Sequence, residues 1–174
     1  MTEHSASGKL DWVTAAIALG GNLGDSHRIL LSAMTAIDQA RGIQVIARSP
    51  LYKTAPVGPP QPDYLNACIL VETSLTPRAL LQQLLTIENQ FGRVRQERWG
   101  ARSLDLDLLL FSDQIVDLPG LTVPHSRLHE RPFVLIPLMN IAPQWPHPIF
   151  GKTIAQLVDQ LSMTTPITGV ERLD

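Results

Sequence analysis

Leu104-Asp105-Leu106-Asp107-Leu108 alternates apolar and acidic residues, and no other stretch of the chain constrains its fold as strongly. A period of two belongs to a β-strand, where Leu104, Leu106 and Leu108 take one face and Asp105 and Asp107 the other. The leucine face requires a core, so the strand, read as Ser103 to Phe111, belongs to a sheet with at least one covered face.

The remaining elements follow from pattern and punctuation. Thr14 to Leu19 is a short apolar strand that runs into the turn Gly20-Gly-Asn-Leu-Gly24. Asp25 or Ser26 can cap a helix to about Ala40, with Ile29, Leu30, Ala33, Ile37 and Ala40 on its apolar side and Gly42 beyond it. Ile43 to Tyr52 reads as one strand and Asn66 to Thr73 as another. Between them, Thr54 to Asp63 holds four of the 14 prolines and makes a stiff, shaped loop. Pro77 opens a helix that Leu80, Leu81, Leu84, Leu85 and Ile87 carry to Phe91. After the Asp-containing strand come a hairpin over 115–123, a short helix near 131–140 and a last helix near 153–161. The order β-α-β-β-α-β predicts an α+β fold: a ferredoxin-like βαββαβ sandwich with a mostly antiparallel sheet and helices on one face, plus the added hairpin and C-terminal helices.

Length and composition bound the organisation. A chain of 174 residues with 44% apolar and 17% charged residues suits a single folded domain, here 14–162, between a flexible extension at 1–13 and a tail at 163–174. No apolar run reaches membrane-spanning length, and the polar N-terminus has no signal-like core, so a cytoplasmic protein without membrane contact is expected. A monomer is the expected state, although nothing in the residues fixes it. A net charge of −2 argues against a broad nucleic-acid surface. Cys68 stands alone in Ala67-Cys-Ile-Leu70 and reads as a core residue, and no His/Cys spacing suggests zinc.

Two aspartates about 6.6 Å apart along a strand can converge on one cation or bracket a pair. Magnesium favours such a site, taking one or two carboxylates and completing its shell with water and substrate phosphate. The plain alternative is the solvated face of a half-covered sheet. The flank weighs on the choice: Arg93, Arg95, Arg98 and Arg102 fall within ten residues ahead of the pair, with Glu97 the one acid among them. The guanidinium fork grips phosphate oxygens in pairs, and Gly92 and Gly100 bracket a segment able to close over a polyanion. Trp99 could stack on a base or pin that segment. His125, with Arg127 and Arg131 after it, could meet a phosphate or could be an ordinary turn histidine. The turn at 20–24 lacks both the dinucleotide GxGxxG and a P-loop lysine, and is read as a tight strand-to-helix connection. Acids beside an arginine segment are the parts of phosphoryl-type transfer from ATP.

Five blocks then carry a resemblance. GGNLGD at 20–25, YKTAPVG at 52–58, QPDYLNA at 61–67, IENQFGRVRQERWGARSLDLDLLLF at 87–111 and LTVPHSRLHERPFVLIPL at 121–138 resemble the 6-hydroxymethyl-7,8-dihydropterin pyrophosphokinase family of folate biosynthesis. The resemblance implies transfer of the pyrophosphoryl group of ATP to the pterin hydroxymethyl group. It implies Asp105 and Asp107 as ligands of two magnesium ions, with Arg93 and Arg102 catalytic beside them. It assigns Glu88, Arg95, Arg98, Trp99, His125 and Arg131 to ATP. Thr54, Pro56, Val57, Gly58, Tyr64, Asn66 and Phe133 go to the pterin, stacked between the rings of Tyr64 and Phe133. Ala101 replaces the family's usual proline, Ser126 stands where some members have tyrosine, and Arg95 to Arg98 is one residue shorter than in some bacterial members. Two other classes compete. A ferredoxin-like RNA-binding module would place aromatic residues, not aspartates, on the 103–111 strand. A regulatory ligand-binding domain would have no use for paired aspartates beside four arginines.

Overall fold

A computed structural model describes residues 11–56, 58–92 and 101–173. Its main sheet contains β1 (Val13–Gly21), β2 (Ile43–Arg48), β3 (Tyr52–Thr54), β4 (Tyr64–Thr73), β5 (Asp105–Phe111) and, at the far edge, Val170–Arg172. Among the described residues four α-helices accompany it: α1 (Ser26–Gln39), α2 (Pro77–Gln90), α3 (Pro132–Ile141) and α4 (Ile154–Thr164). β6 (Val116–Leu118) and β7 (Leu121–Val123) form the separate hairpin, and the C-terminal strand Val170–Arg172 becomes β8. The fold is therefore α+β, with every strand pair antiparallel among the described residues.

β1 lies between β5 and β4, and β4 pairs on its other side with β2 and then β3. The single strand predicted over 43–52 is thus two. Pro50 has no N–H to give a ladder, and the chain steps out of register there. Ser49 holds the break: its backbone N–H donates to the Cys68 carbonyl and its Oγ accepts the Cys68 N–H, each at 2.9 Å.

Local chemistry sets the helix ends. The Asp25 carboxylate accepts the Arg28 N–H to open α1, and Thr76 Oγ1 caps α2 just ahead of Pro77. In α4, Thr153 and Gln156 form a reciprocal capping box.

The two helices of the βαββαβ core share one face, as expected, and the added C-terminal helices cover the other. α1 and α2 bury Leu30, Met34, Ile37, Leu80, Leu84 and Ile87 against one side of the sheet. α3 and α4 cover the other with Val134, Leu135, Leu138, Leu157 and Val158. β5 consequently serves two cores. Leu104, Leu106, Leu108 and Phe111 enter the first, while Leu109 and Leu110 enter the second. A bulge makes this possible: Ala16 faces Leu110 and Ile17 faces Leu108, leaving Leu109 as the extra residue. Cys68 is fully buried in the second core, as its sequence setting predicts, and its Sγ lies 3.5 Å from the Val134 carbonyl.

The C-terminal tail is corrected. α4 runs to Thr164, and β8 pairs with β3, Val170 opposite Thr54 and Arg172 opposite Tyr52. Leu173 N–H then donates to Leu51 O at 2.9 Å. The last residues complete the sheet edge beside Thr54. No helix among the described residues is long and apolar enough to cross a membrane.

Candidate functional site

Pairing across the sheet decides which side chains share a face. Gly20 of β1 stands opposite Asp105 on one side and Asn66 on the other. Ala18 stands likewise between Asp107 and Cys68. Directly paired residues point the same way, so Asp105, Asp107, Asn66 and Tyr64, together with Tyr52 and Thr54 of β3, lie on the face that α3 covers further along. The acid pair and the pterin-type residues expected from sequence therefore meet on one surface.

Gly20 opens the space between them. A Cβ there would stand 2.8 Å from Asn66 Oδ1, a distance real side chains do not keep. Its backbone is ordinary, so proximity and not torsion calls for glycine. Asn66 is held from beneath, its Nδ2 donating to Thr54 Oγ1 at 2.7 Å, and both residues are almost buried. With the amide nitrogen engaged, the Asn66 carbonyl oxygen faces the gap beside Gly20.

The acid pair has cations beside it. Arg102 Nη1 donates to Asp105 Oδ1 at 3.1 Å. Asp107 sits deeper, and burial, reinforced by the Asp105 charge, pushes its carboxyl up to about 7, with Arg131 and Arg102 pulling the other way. A carboxylate so disfavoured is short of positive charge, which a bound cation would supply. No group of three or more His, Cys, Asp or Glu able to hold a metal occurs among the described residues. A metal held by Asp105 and Asp107 would draw its other ligands from substrate and water, as magnesium does.

Glu88 lies almost wholly buried on α2, where its Oε1 accepts the Leu106 N–H at 2.7 Å. It fastens α2 to the backbone between the two aspartates, while its charge adds to the pressure on Asp107. The nucleotide-side role expected of it is joined by this structural one.

His125 follows β7, its backbone N–H donating to Leu109 O, two residues past Asp107. Its Nδ1 accepts the Arg127 N–H at 3.2 Å, which leaves the proton on Nε2. Burial, with Arg131 next, lowers its pKa. Arg131 lies within electrostatic reach of Asp107 and Asp105, and its guanidinium carbon is 5.7 Å from the Phe133 ring centre. Tyr64 feels Arg102 and Asp105, although burial dominates and raises its pKa.

Arg102, Asp105, Asp107, Glu88, His125, Arg131, Tyr64, Asn66 and Thr54 are accordingly gathered at one end of the sheet, with Phe133 joined to them through Arg131. Gly58 adopts a left-handed backbone (φ 108°) in the exposed proline-rich loop, and Pro56 lies half-buried beside it. Val57, Arg93, Arg95, Arg98 and Trp99 lie outside the described residues.

Sequence reading missed Asn22. It is 4% exposed and bonds to two segments that are remote in sequence, one at Gln61 and Pro62 and the other at Arg102. The available signal was an amide side chain directly after two glycines at a strand end, a position the turn explanation left unused.

Known proteins resemble this chain over most of its length. The family model described as 7,8-dihydro-6-hydroxymethylpterin-pyrophosphokinase (HPPK) matches residues 16–143. A Synechocystis sp. protein named 2-amino-4-hydroxy-6-hydroxymethyldihydropteridine pyrophosphokinase is 47% identical over 150 residues, covering 86% of this chain and 77% of its own length. The Haemophilus influenzae protein of the same name is 44% identical over 151 residues, covering 86% and 94%. Among solved structures, a wild-type Plasmodium falciparum HPPK-DHPS with pteroate superposes with a TM-score of 0.73 at 14% identity. That match covers 93% of this chain and 48% of the longer one, and it speaks to fold alone. A second HPPK-DHPS structure, in complex with substrates, gives 0.72 at 14% identity over 94% and 47%. The chain thus spans just under half of these solved chains. By sequence match over most of its length, it belongs to the 7,8-dihydro-6-hydroxymethylpterin-pyrophosphokinase family.

Proposed function

We propose that this chain transfers the pyrophosphoryl group of ATP to the hydroxymethyl oxygen of 6-hydroxymethyl-7,8-dihydropterin, yielding the pterin diphosphate and AMP for folate biosynthesis. The observation that carries this reading is the shared face. The acid pair with Arg102 lies on one side of Gly20, and the Asn66–Thr54 pair lies on the other. A donor of phosphate groups and a flat heterocycle can thus be held with their reacting ends toward each other.

Asp105 and Asp107 would hold magnesium, two ions in this reading, with the remaining ligands from ATP oxygens and water. Bound there, magnesium neutralises charge between the acids and the triphosphate and polarises the transferred group. The chain's own residues do the positioning. Arg102, braced by Asp105, presents positive charge to the triphosphate, and the Nε2–H of His125 donates to a phosphate or ribose oxygen. Arg131 adds a second guanidinium, and Glu88 keeps the Asp105–Asp107 backbone in place. By sequence position, Arg93, Arg95, Arg98 and Trp99 complete the triphosphate grip, with Arg93 catalytic alongside Arg102. Asn66 and Thr54 read the pterin heteroatoms, with Pro56, Val57 and Gly58 lining its edge and Tyr64 and Phe133 stacking on its faces. In the transfer, the pterin hydroxyl oxygen bonds to the β-phosphorus of ATP, the bond from that phosphorus to the α,β-bridging oxygen breaks, and the hydroxyl proton is released.

The strand order, with β1 between β5 and β4 and β2 and β3 outside β4, supports the ferredoxin-like reading of the core. We place the enzyme in the cytoplasm as a monomer, with 14–162 as its catalytic domain, the sheet edge completed by β8, and no nucleic-acid or membrane partner. Product analysis tests the reaction: incubation with ATP, magnesium and the hydroxymethyl pterin yields AMP and pterin diphosphate. Release of ADP with a pterin monophosphate would overturn it.

A further inference from the structure

We infer that Asn22 is a positioning residue that clasps the pterin-side loop to the phosphate-side segment, an inference that rests on the transfer reaction proposed above. Asn22 sits where β1 ends. Its Oδ1 accepts the Arg102 N–H at 2.8 Å, and its Nδ2 donates to Gln61 Oε1 and to Pro62 O, each at 2.9 Å. Its own backbone N–H donates to the Arg102 carbonyl at 2.8 Å, and Leu23 N–H joins the same carbonyl at 3.1 Å. Arg102 is therefore bound on both sides of its α-carbon, while the same side chain reaches back to the residues just ahead of Tyr64.

The partners leave the amide one orientation. The Arg102 N–H can only donate and the Pro62 carbonyl can only accept, so turning the amide over would set donor against donor and acceptor against acceptor. An isosteric aspartate has acceptors only: it could keep the Arg102 bond but would confront the Pro62 carbonyl. The two halves of the clasp can consequently be separated chemically.

Close packing fixes its location. A Cβ on Gly21 would lie 2.3 Å from the Ser103 carbonyl oxygen, so β1 and the 102–103 segment touch backbone to backbone directly beside Asn22. Arg102 in turn reaches Asp105 three residues on, whereas Gln61 and Pro62 lead into Tyr64 and Asn66. One buried amide thus spans, in covalent terms, the 39 residues to Gln61 and the 80 to Arg102. It sets the distance between the two substrate-bearing parts of the site.

The test is steady-state kinetics of Asn22→Asp with each substrate varied in turn, beside wild type. Loss of the loop half should raise the pterin KM roughly ten- to a hundredfold, the net worth of two buried hydrogen bonds, with the ATP KM within twofold. Asn22→Ala removes both halves and should also lower kcat by roughly ten- to a hundredfold. A merely structural role would move the two KM values together, so values that both stay within twofold, or that rise in parallel, overturn the clasp. Should the Asp variant fail to fold, Gln61→Ala on the loop decides by the same split, with a severalfold rise in pterin KM expected. A wild type that releases no AMP defeats the transfer reaction instead. The clasp is then judged by calorimetric pterin titration, where equal affinity in wild type and Gln61→Ala refutes it.

Discussion

Asp107 is expected to weaken the metal-free protein, and replacing it by asparagine should make that protein more stable while abolishing turnover. The folded carboxyl is pushed up to about 7 from its ordinary 3.8, chiefly by burial and then by Asp105. Between those two values the folded state holds a proton that the unfolded state has released. Stability from this group therefore falls as pH rises from about 4 to about 7, and the whole penalty is present above 7. The difference between about 7 and 3.8, at roughly 1.4 kcal/mol per pH unit, sets a ceiling near ~4 kcal/mol. Asp107 is only half-buried by surface exposure, and the solvent that reaches it should reduce the effect to ~1–2 kcal/mol. For a chain of this length that corresponds to about 2–8 °C in Tm. The assay is thermal unfolding of wild type and Asp107→Asn in EDTA at pH 8 and pH 5, then with excess magnesium and ATP. Asp107→Asn should melt higher in EDTA, by more at pH 8 than at pH 5. Magnesium and ATP should then raise wild type more than the variant and erase the gap. A variant that melts below wild type in EDTA at pH 8, or whose gain is the same at both pH values, would refute the reasoning.

Three further outcomes follow from the packing. Gly21→Ala drives a methyl group into the Ser103 carbonyl and should cost about 2–4 kcal/mol in urea denaturation, with a fall in kcat as Arg102 shifts; a neutral substitution would mean the segment yields freely. Removing residues 168–174 strips β8 from β3 and takes Leu173 off the core. A loss of about 1–2 kcal/mol is expected, with a raised pterin KM because Thr54 loses its outer brace; an unchanged KM would show that β4 alone holds β3. His147 is 2% exposed and its Nδ1 accepts the N–H groups of Ile149 and Phe150, while burial lowers its pKa. The folded state then binds fewer protons than the unfolded one below about 6.5, so this contribution is full above that pH and declines as pH falls beneath it. Denaturant midpoints from pH 7.5 to 5.5 should fall less steeply in His147→Asn than in wild type, and parallel slopes would count against it.

The parts of this molecule that could be read in sequence are those with a local period. The leucines of β5 alternate over a short run, so their burial and the shared face of Asp105 and Asp107 were both visible. The capped, apolar-sided helices α1 and α2 were visible for the same reason. Alternation says nothing about a second covering layer, however. Leu109 and Leu110 are both buried in the far core because a bulge opposite Ala16 and Ile17 adds a residue, and no period announces a bulge. β8 escaped because Val-Glu-Arg has no apolar face to bury; its place is decided by the free edge of β3, which lies more than 100 residues earlier.

The site divides along the same line. Asp105, Asp107 and Arg102 lie within six residues, so their chemistry could be reasoned from spacing, and the salt bridge between Arg102 and Asp105 realises that nearness. Asn22 could not be reached this way, because asparagine after glycine is ordinary turn chemistry and each of its side-chain partners is at least 39 residues away. Yet, in the clasp inferred above, those partners decide whether the arginine and the proline-rich loop stand at a reactive distance. Spacing in sequence can thus nominate the groups that would react, whereas the side chain inferred to set the separation of the two substrates has partners that only the fold supplies.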